Sequence, residues 1–118
     1  MGMKRLRNHL VGSDQGDTVL FSDFEDGGEM WTGAGPRERR RRVKFSEPYR
    51  RPPAVTVAIS LWDIDTATAV RTDVSAQAIT EDGFDMVFKT WGDTRIARCR
   101  MSWMAVGELP DDEDWDLA

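Results

Sequence analysis

The chain has 118 residues, 40% of them hydrophobic and 31% charged, with a formal net charge of −5. That length suits one domain that buries a core without metal or disulfide staples. A single cysteine, Cys99, excludes an intrachain disulfide, the acidic balance argues against general nucleic-acid binding, and no apolar run approaches the roughly 20 residues of a membrane-spanning helix.

The opening "MGMKRLRNHLVG" is basic but lacks an apolar segment of signal-peptide length. No secretory leader is therefore expected, and synthesis is expected in the cytoplasm, with the final compartment left unassigned. Residues 1–36 are rich in Gly, Asp and Ser. They predict turns and loops packed onto the domain, with one short edge strand at Val19, Leu20 and Phe21. The Gly-rich "WTGAGP" lacks the Lys-Ser/Thr ending of a phosphate-binding loop.

The block "RERRRRVK" opens the predicted domain core, residues 37–107. In an extended strand its arginines alternate between faces, and some are expected at an exposed edge or subunit interface. Pro52 and Pro53 cannot both serve a ladder, so they are placed before the paired region. From there the pattern has period two. "PAVTVAISLW" sets Val55, Val57, Ile59 and Leu61 on one face, with Trp62 opposite. Val70, Val74, Ala76 and Ala78 share a face, then "TEDG" turns. Phe84, Met86 and Phe88 share the next face, and "GDT" turns again. Ala97, Cys99, Met101, Trp103 and Ala105 follow on one face, with Arg98 and Arg100 on the other. Short alternating strands between turn signals predict an all-β sandwich or barrel. The acidic "ELPDDEDWDLA", residues 108–118, reads as a solvated tail. The sharper alternative docks it on the arginine block, with Trp115 as an apolar anchor.

Catalytic groups are scarce. His9 is the only histidine, and one histidine with a distant cysteine makes no nucleophilic pair. No Cys/His spacing suits a metal. Asp63 and Asp65 are a carboxylate pair without an opposed group, and they read as a turn that caps its own amides. No enzyme and no cofactor are expected. Five tryptophans are a high count. Trp103 is expected in the core. Trp91, at a strand end beside a turn, is either a hairpin-edge packing residue or an apolar platform with one N–H donor, which suits the C–H face of a sugar.

"VKFSEPYRRPPAVTVAIS" followed by "DVSAQAITEDGFDMVFKTWGDTRIARCRMSWMAVG" resembles the H-type lectin domain of snail agglutinins and of the C-terminal part of discoidins. The motifs that carry the likeness are the "PP" strand start, "IT-x-x-GF", "TW-x-x-T" and "SW-(aliphatic)-A", over residues 43–106. The resemblance implies a six-stranded antiparallel β-sandwich that assembles as a homotrimer. It implies binding of galactose- or N-acetylgalactosamine-type glycans near subunit boundaries, in adhesion or surface recognition, without catalysis or calcium. By the same resemblance Arg71 is the arginine that bonds sugar hydroxyls, and Trp91 is the tryptophan of the site. Gly33 and Ala34 fall where sugar-binding members carry a small and then an acidic residue. Gly92 stands at a position often occupied by histidine, and Ala97 at a tyrosine position. A second reading keeps the sandwich but not the sugar specificity, as a structural or attachment component of a larger, phage-like particle with other particle proteins as partners. Neither reading involves a membrane, and nucleic acid ranks last because no aromatics interleave with the basic block.

Overall fold

A computed structural model describes residues 2–7 and 9–111. The predicted contact of the acidic tail through Trp115 falls outside the described residues. Six strands form two three-stranded antiparallel sheets. The elements are β1 (Val11–Ser22), α1 (Glu29–Thr32), β2 (Arg37–Lys44), β3 (Ala54–Ile64), β4 (Thr72–Gln77), β5 (Gly83–Thr90) and β6 (Ile96–Glu108). One sheet runs β1-β6-β3 and the other β2-β5-β4. The sheets face each other as a sandwich, with β3 beside β4 and β1 beside β2 at the flanks. No described helix is long and apolar enough to cross a membrane.

The two central strands supply the core by the alternation read from the sequence. Phe84, Met86 and Phe88 of β5 are fully buried, as are Cys99, Met101 and Ala105 of β6. Aromatic rings lock the layers together. Phe84 meets Trp103 edge-on with centroids 5.5 Å apart, and Phe45 stacks on Phe84 at 5.8 Å. Tyr49 meets Phe45 edge-on and donates its hydroxyl to the Ala105 carbonyl at 3.3 Å. Such pairs contribute roughly 0.5–1.5 kcal/mol each beyond burial. Burial also pushes the Cys99 thiol up to about 11, as expected for a structural cysteine rather than a reactive one.

Four local expectations need correction. The Gly/Asp-rich start is a strand of 12 residues, β1, paired along β6. It escapes a propensity reading because its glycines answer to a neighbour. Gly16 lies opposite Trp103, and a Cβ there would come within 2.5 Å of the indole nitrogen. A bulge at Ser60 shifts the β3 register, so Ile59 pairs with Met101 but Leu61 pairs with Arg100. Paired residues share a face, so Leu61 turns outward. Trp62, opposite Cys99, turns to the core side and stays 44% exposed on an edge strand. A second irregularity skips Ala97, and Ile96 rather than Ala97 fills the core. Finally, α1 is a helical turn in the predicted loop, and it carries the buried Met30.

The arginine block is absorbed by the fold. Arg39 and Arg41 share the core-side face with Phe88 and Met86 and reach across the open flank. Arg39 pairs with Asp23 and Glu29, each at 2.8 Å. Arg41 donates to the Thr18 hydroxyl at 2.7 Å. On the outer face Arg40 and Arg42 both reach Asp85, holding its carboxyl below the usual carboxylate range.

Candidate functional site

The β5–β6 turn, residues 91–95, joins the central strands of the two sheets at one end of the sandwich. The "TW-x-x-T" spacing has a structural reason there. Thr90 and Thr94 are buried and bracket the turn. The Thr90 hydroxyl donates to the Arg71 carbonyl at 2.6 Å. The Thr94 hydroxyl accepts from the Arg71 N–H at 3.1 Å and donates to the Ala69 carbonyl at 2.7 Å. Both backbone polar groups of Arg71 are therefore fixed by the motif, leaving its side chain free to project.

Where it projects follows from register. Thr72 pairs with Thr90 and Asp73 with Lys89. Arg71 and Trp91 lie one step beyond the last pair, where the alternation leads to the outward side with Asp73 and Lys89. Trp91 is 44% exposed. It lines a groove of about 570 Å³ with Pro36, Arg37, Glu38, Asp73, Lys89 and Thr90. Gly92 has φ +71°, the left-handed region, and a Cβ there would sit 3.1 Å from Arg71 Nη1. Glycine lets the turn close and keeps the guanidinium in place. Arg71 Nη1 donates to Asp93 Oδ1 at 2.7 Å.

The loop carrying Gly33 and Ala34 reaches this turn through the backbone. The Gly35 N–H donates to the Gly92 carbonyl at 2.9 Å. Gly33 closes α1, its N–H bonded to the Glu29 carbonyl at 2.8 Å. Ala34 is exposed and brings no polar side chain. Arg37 binds the pieces together. Its guanidinium is buried and donates to four carbonyls, those of Gly35 (2.9 Å), Glu29, Met30 and Gly92 (3.3 Å each).

So the structure brings Arg71, Trp91, Gly92 and the 33–35 loop to one end of the molecule. Thr90, Thr94, Arg37 and Asp93 are the participants that sequence reasoning did not single out. The two threonines stood inside a quoted motif. Arg37 hid within a charge run, and the Asp93 contact depends on a turn conformation. Of the acidic residues near the loop, Glu38 lines the Trp91 groove with Arg40 and Lys89 at 3.7 and 3.9 Å, and Glu29 is engaged by Arg39. The carboxylate pair Asp63 and Asp65 is taken individually. Asp63 pairs with Arg98 and Asp65 with Arg95, both at 3.0 Å. Asp65 also caps the Ala67 N–H at 2.9 Å, the turn role expected of it. Among the described residues no group of three or more His, Cys, Asp or Glu side chains is arranged to hold a metal.

The family model of the H-type lectin domain matches residues 40–106. A protein of Fuscovulum blasticum named ATP synthase subunits region ORF 7 is 60% identical over 107 residues, 91% of this chain and 93% of that one. A discoidin-1 chain of Dictyostelium discoideum is 35% identical over 75 residues, 63% of this chain and 30% of its own length. The solved structure of recombinant discoidin II of Dictyostelium discoideum superposes with a TM-score of 0.73 at 24% identity. The match covers 94% of this chain and 41% of the discoidin, and at that identity it speaks for the fold alone.

Proposed function

The chain belongs to the H-type lectin domain family, a non-catalytic carbohydrate-binding module, and on that premise we propose that it binds saccharide at the end of the sandwich where Arg71 and Trp91 lie. The observation that carries the reading is one turn: it presents a half-exposed indole at Trp91, and its Gly92 lies against the guanidinium of Arg71, whose backbone is pinned on both sides by Thr90 and Thr94. An indole face takes the apolar side of a pyranose, and a guanidinium fork takes neighbouring hydroxyls. Galactose and N-acetylgalactosamine are the first ligands to try, with Gly33, Ala34 and Gly92 shaping the rim. The protein acts as a homotrimer in adhesion or surface recognition, where three weak sites gain from multivalency. The half-exposed Trp62 on edge strand β3 supports self-association, since a neighbouring copy would cover it.

The test is a glycan array on the native protein, on Arg71→Ala and on Trp91→Ala, with light scattering for the assembly. Binding by the native protein that both variants lose is the expected result. A native protein that binds no glycan overturns the reading and leaves the role in a larger particle, with co-purification in such a particle as its own check. The basic block lends that second role little support, because Arg37, Arg39, Arg40, Arg41 and Arg42 are all engaged within the chain.

A further inference from the structure

Sugar-binding sites of this design need an acceptor as well as a donor, because a pyranose hydroxyl offers both a proton and lone pairs. The 33–35 loop offers none from a side chain: two glycines flank the exposed Ala34. We propose that Asp93 supplies the acceptor instead, and that the Arg71–Asp93 pair reads two adjacent hydroxyls of a neutral sugar whose apolar face lies on Trp91. This rests on the carbohydrate-binding reading and names the class of ligand for the same site.

Four observations carry it. Asp93 Oδ1 holds Arg71 Nη1 at 2.7 Å, so the two groups lie side by side with fixed spacing. The bond uses one atom of each. Arg71 Nη2 and Asp93 Oδ2 make no hydrogen bond to any other described residue. A free donor next to a free acceptor matches a vicinal diol, in which one hydroxyl accepts from Nη2 and its neighbour donates to Oδ2. Both side chains are open to the ligand, Asp93 at 67% and Arg71 at 39% exposure. Gly92 lies between Trp91 and Asp93 in the chain, and its missing side chain leaves the guanidinium uncovered.

Charge then narrows the ligand. The Trp91 groove carries Arg37 and Lys89 against Glu38 and Asp73, and beyond it Arg71 is paired with Asp93. Three positive groups face three negative ones, and the exposed arginine is already neutralised. No net charge attracts a carboxylate sugar, and Asp93 would repel one. Neutral hexoses and their N-acetyl derivatives fit, provided the diol is free, whereas sialic and uronic acids do not.

The test uses the full chain and defined probes: methyl galactoside, methyl glucoside, N-acetylgalactosamine and sialic acid, titrated by calorimetry. Asp93→Asn keeps the shape and removes the carboxylate. The expected result is a loss of at least about tenfold in affinity for every neutral sugar the native protein binds, with the melting temperature unchanged, since an exposed ion pair contributes little to stability. Deoxygenating the contacted hydroxyl should weaken native binding and leave the residual binding of Asp93→Asn unaltered. Neutral-sugar binding retained by Asp93→Asn but lost in Trp91→Ala overturns this inference alone. Tighter binding by Asp93→Asn also overturns it, because Asp93 would then be a shield on Arg71. A preference for sialic acid overturns the ligand class. A native protein that binds none of the probes overturns the inference together with the carbohydrate reading.

Discussion

Replacing Arg37 by alanine tests how the candidate site is held together. Arg37 is 7% exposed, and its guanidinium ties the carbonyls of Glu29, Met30, Gly35 and Gly92 into one knot, with no carboxylate partner among the described residues. An intramolecular hydrogen bond nets about 0.5–1.5 kcal/mol, and more to a charged group. Three of these four are long at 3.3 Å and belong at the low end. The Gly92 carbonyl keeps its bond from the Gly35 N–H and loses least. The sum is about 3 kcal/mol, including the lost packing of the arginine stem, whose Cδ occupies the space a side chain at position 33 would need. For a domain near this size that lowers the melting temperature by roughly 10–15 °C. Arg37→Lys keeps the charge but not the fork. A single ammonium cannot span carbonyls on both sides, so about half the loss remains. Urea unfolding followed by circular dichroism reads both values from the midpoint at constant slope. A loss below about 1 kcal/mol in Arg37→Ala, or a lysine variant indistinguishable from the native protein, would refute the idea that this side chain holds the loop to the turn.

The remaining expectations concern the core and the turn. The Cys99 thiol, raised by burial from 9.0 to about 11, favours its neutral form in the folded state. Its contribution is therefore complete below pH 9 and is lost as pH rises through about 11, on the order of 2–3 kcal/mol; native protein at pH 8 should resist alkylation that the unfolded chain undergoes at once. Gly16→Val drives a branched side chain against Trp103 and should cost about 1–3 kcal/mol in denaturant unfolding, while a neutral outcome would mean that β1 shifts freely along β6.

The parts of the fold that sequence could disclose are those where each strand answers to itself. In β5 and in the centre of β6 every second residue is apolar because one face is buried, so the period alone marks Phe84, Met86, Phe88, Cys99 and Met101 as core. β1 is different. Its glycines at 12 and 16 make sense only beside Leu109 and Trp103, which lie some ninety residues along the chain, and Asp14 and Asp17 answer to Ser46 and to Ser60 and Arg100. The bulges at Ser60 and Ala97 leave no local mark either, yet each reverses the faces that follow it, which is why simple alternation misplaces Leu61, Trp62 and Ala97. At the candidate site, Arg71 and Trp91 are legible through their motif. Asp93 and Arg37 are not, because one is defined by a glycine turn and the other by carbonyls gathered from three segments.

The turn that carries Trp91, Gly92 and Asp93 is also the covalent link between the two central strands. Neighbours on both sides secure β5 and β6, so their shared turn should open only when the whole sandwich does. A ligand seated there would have no partial unfolding to suppress. It would slow amide exchange across both sheets together, by the factor its affinity and concentration set. Hydrogen exchange in the buried core, far from any sugar, would then report occupancy of the surface site.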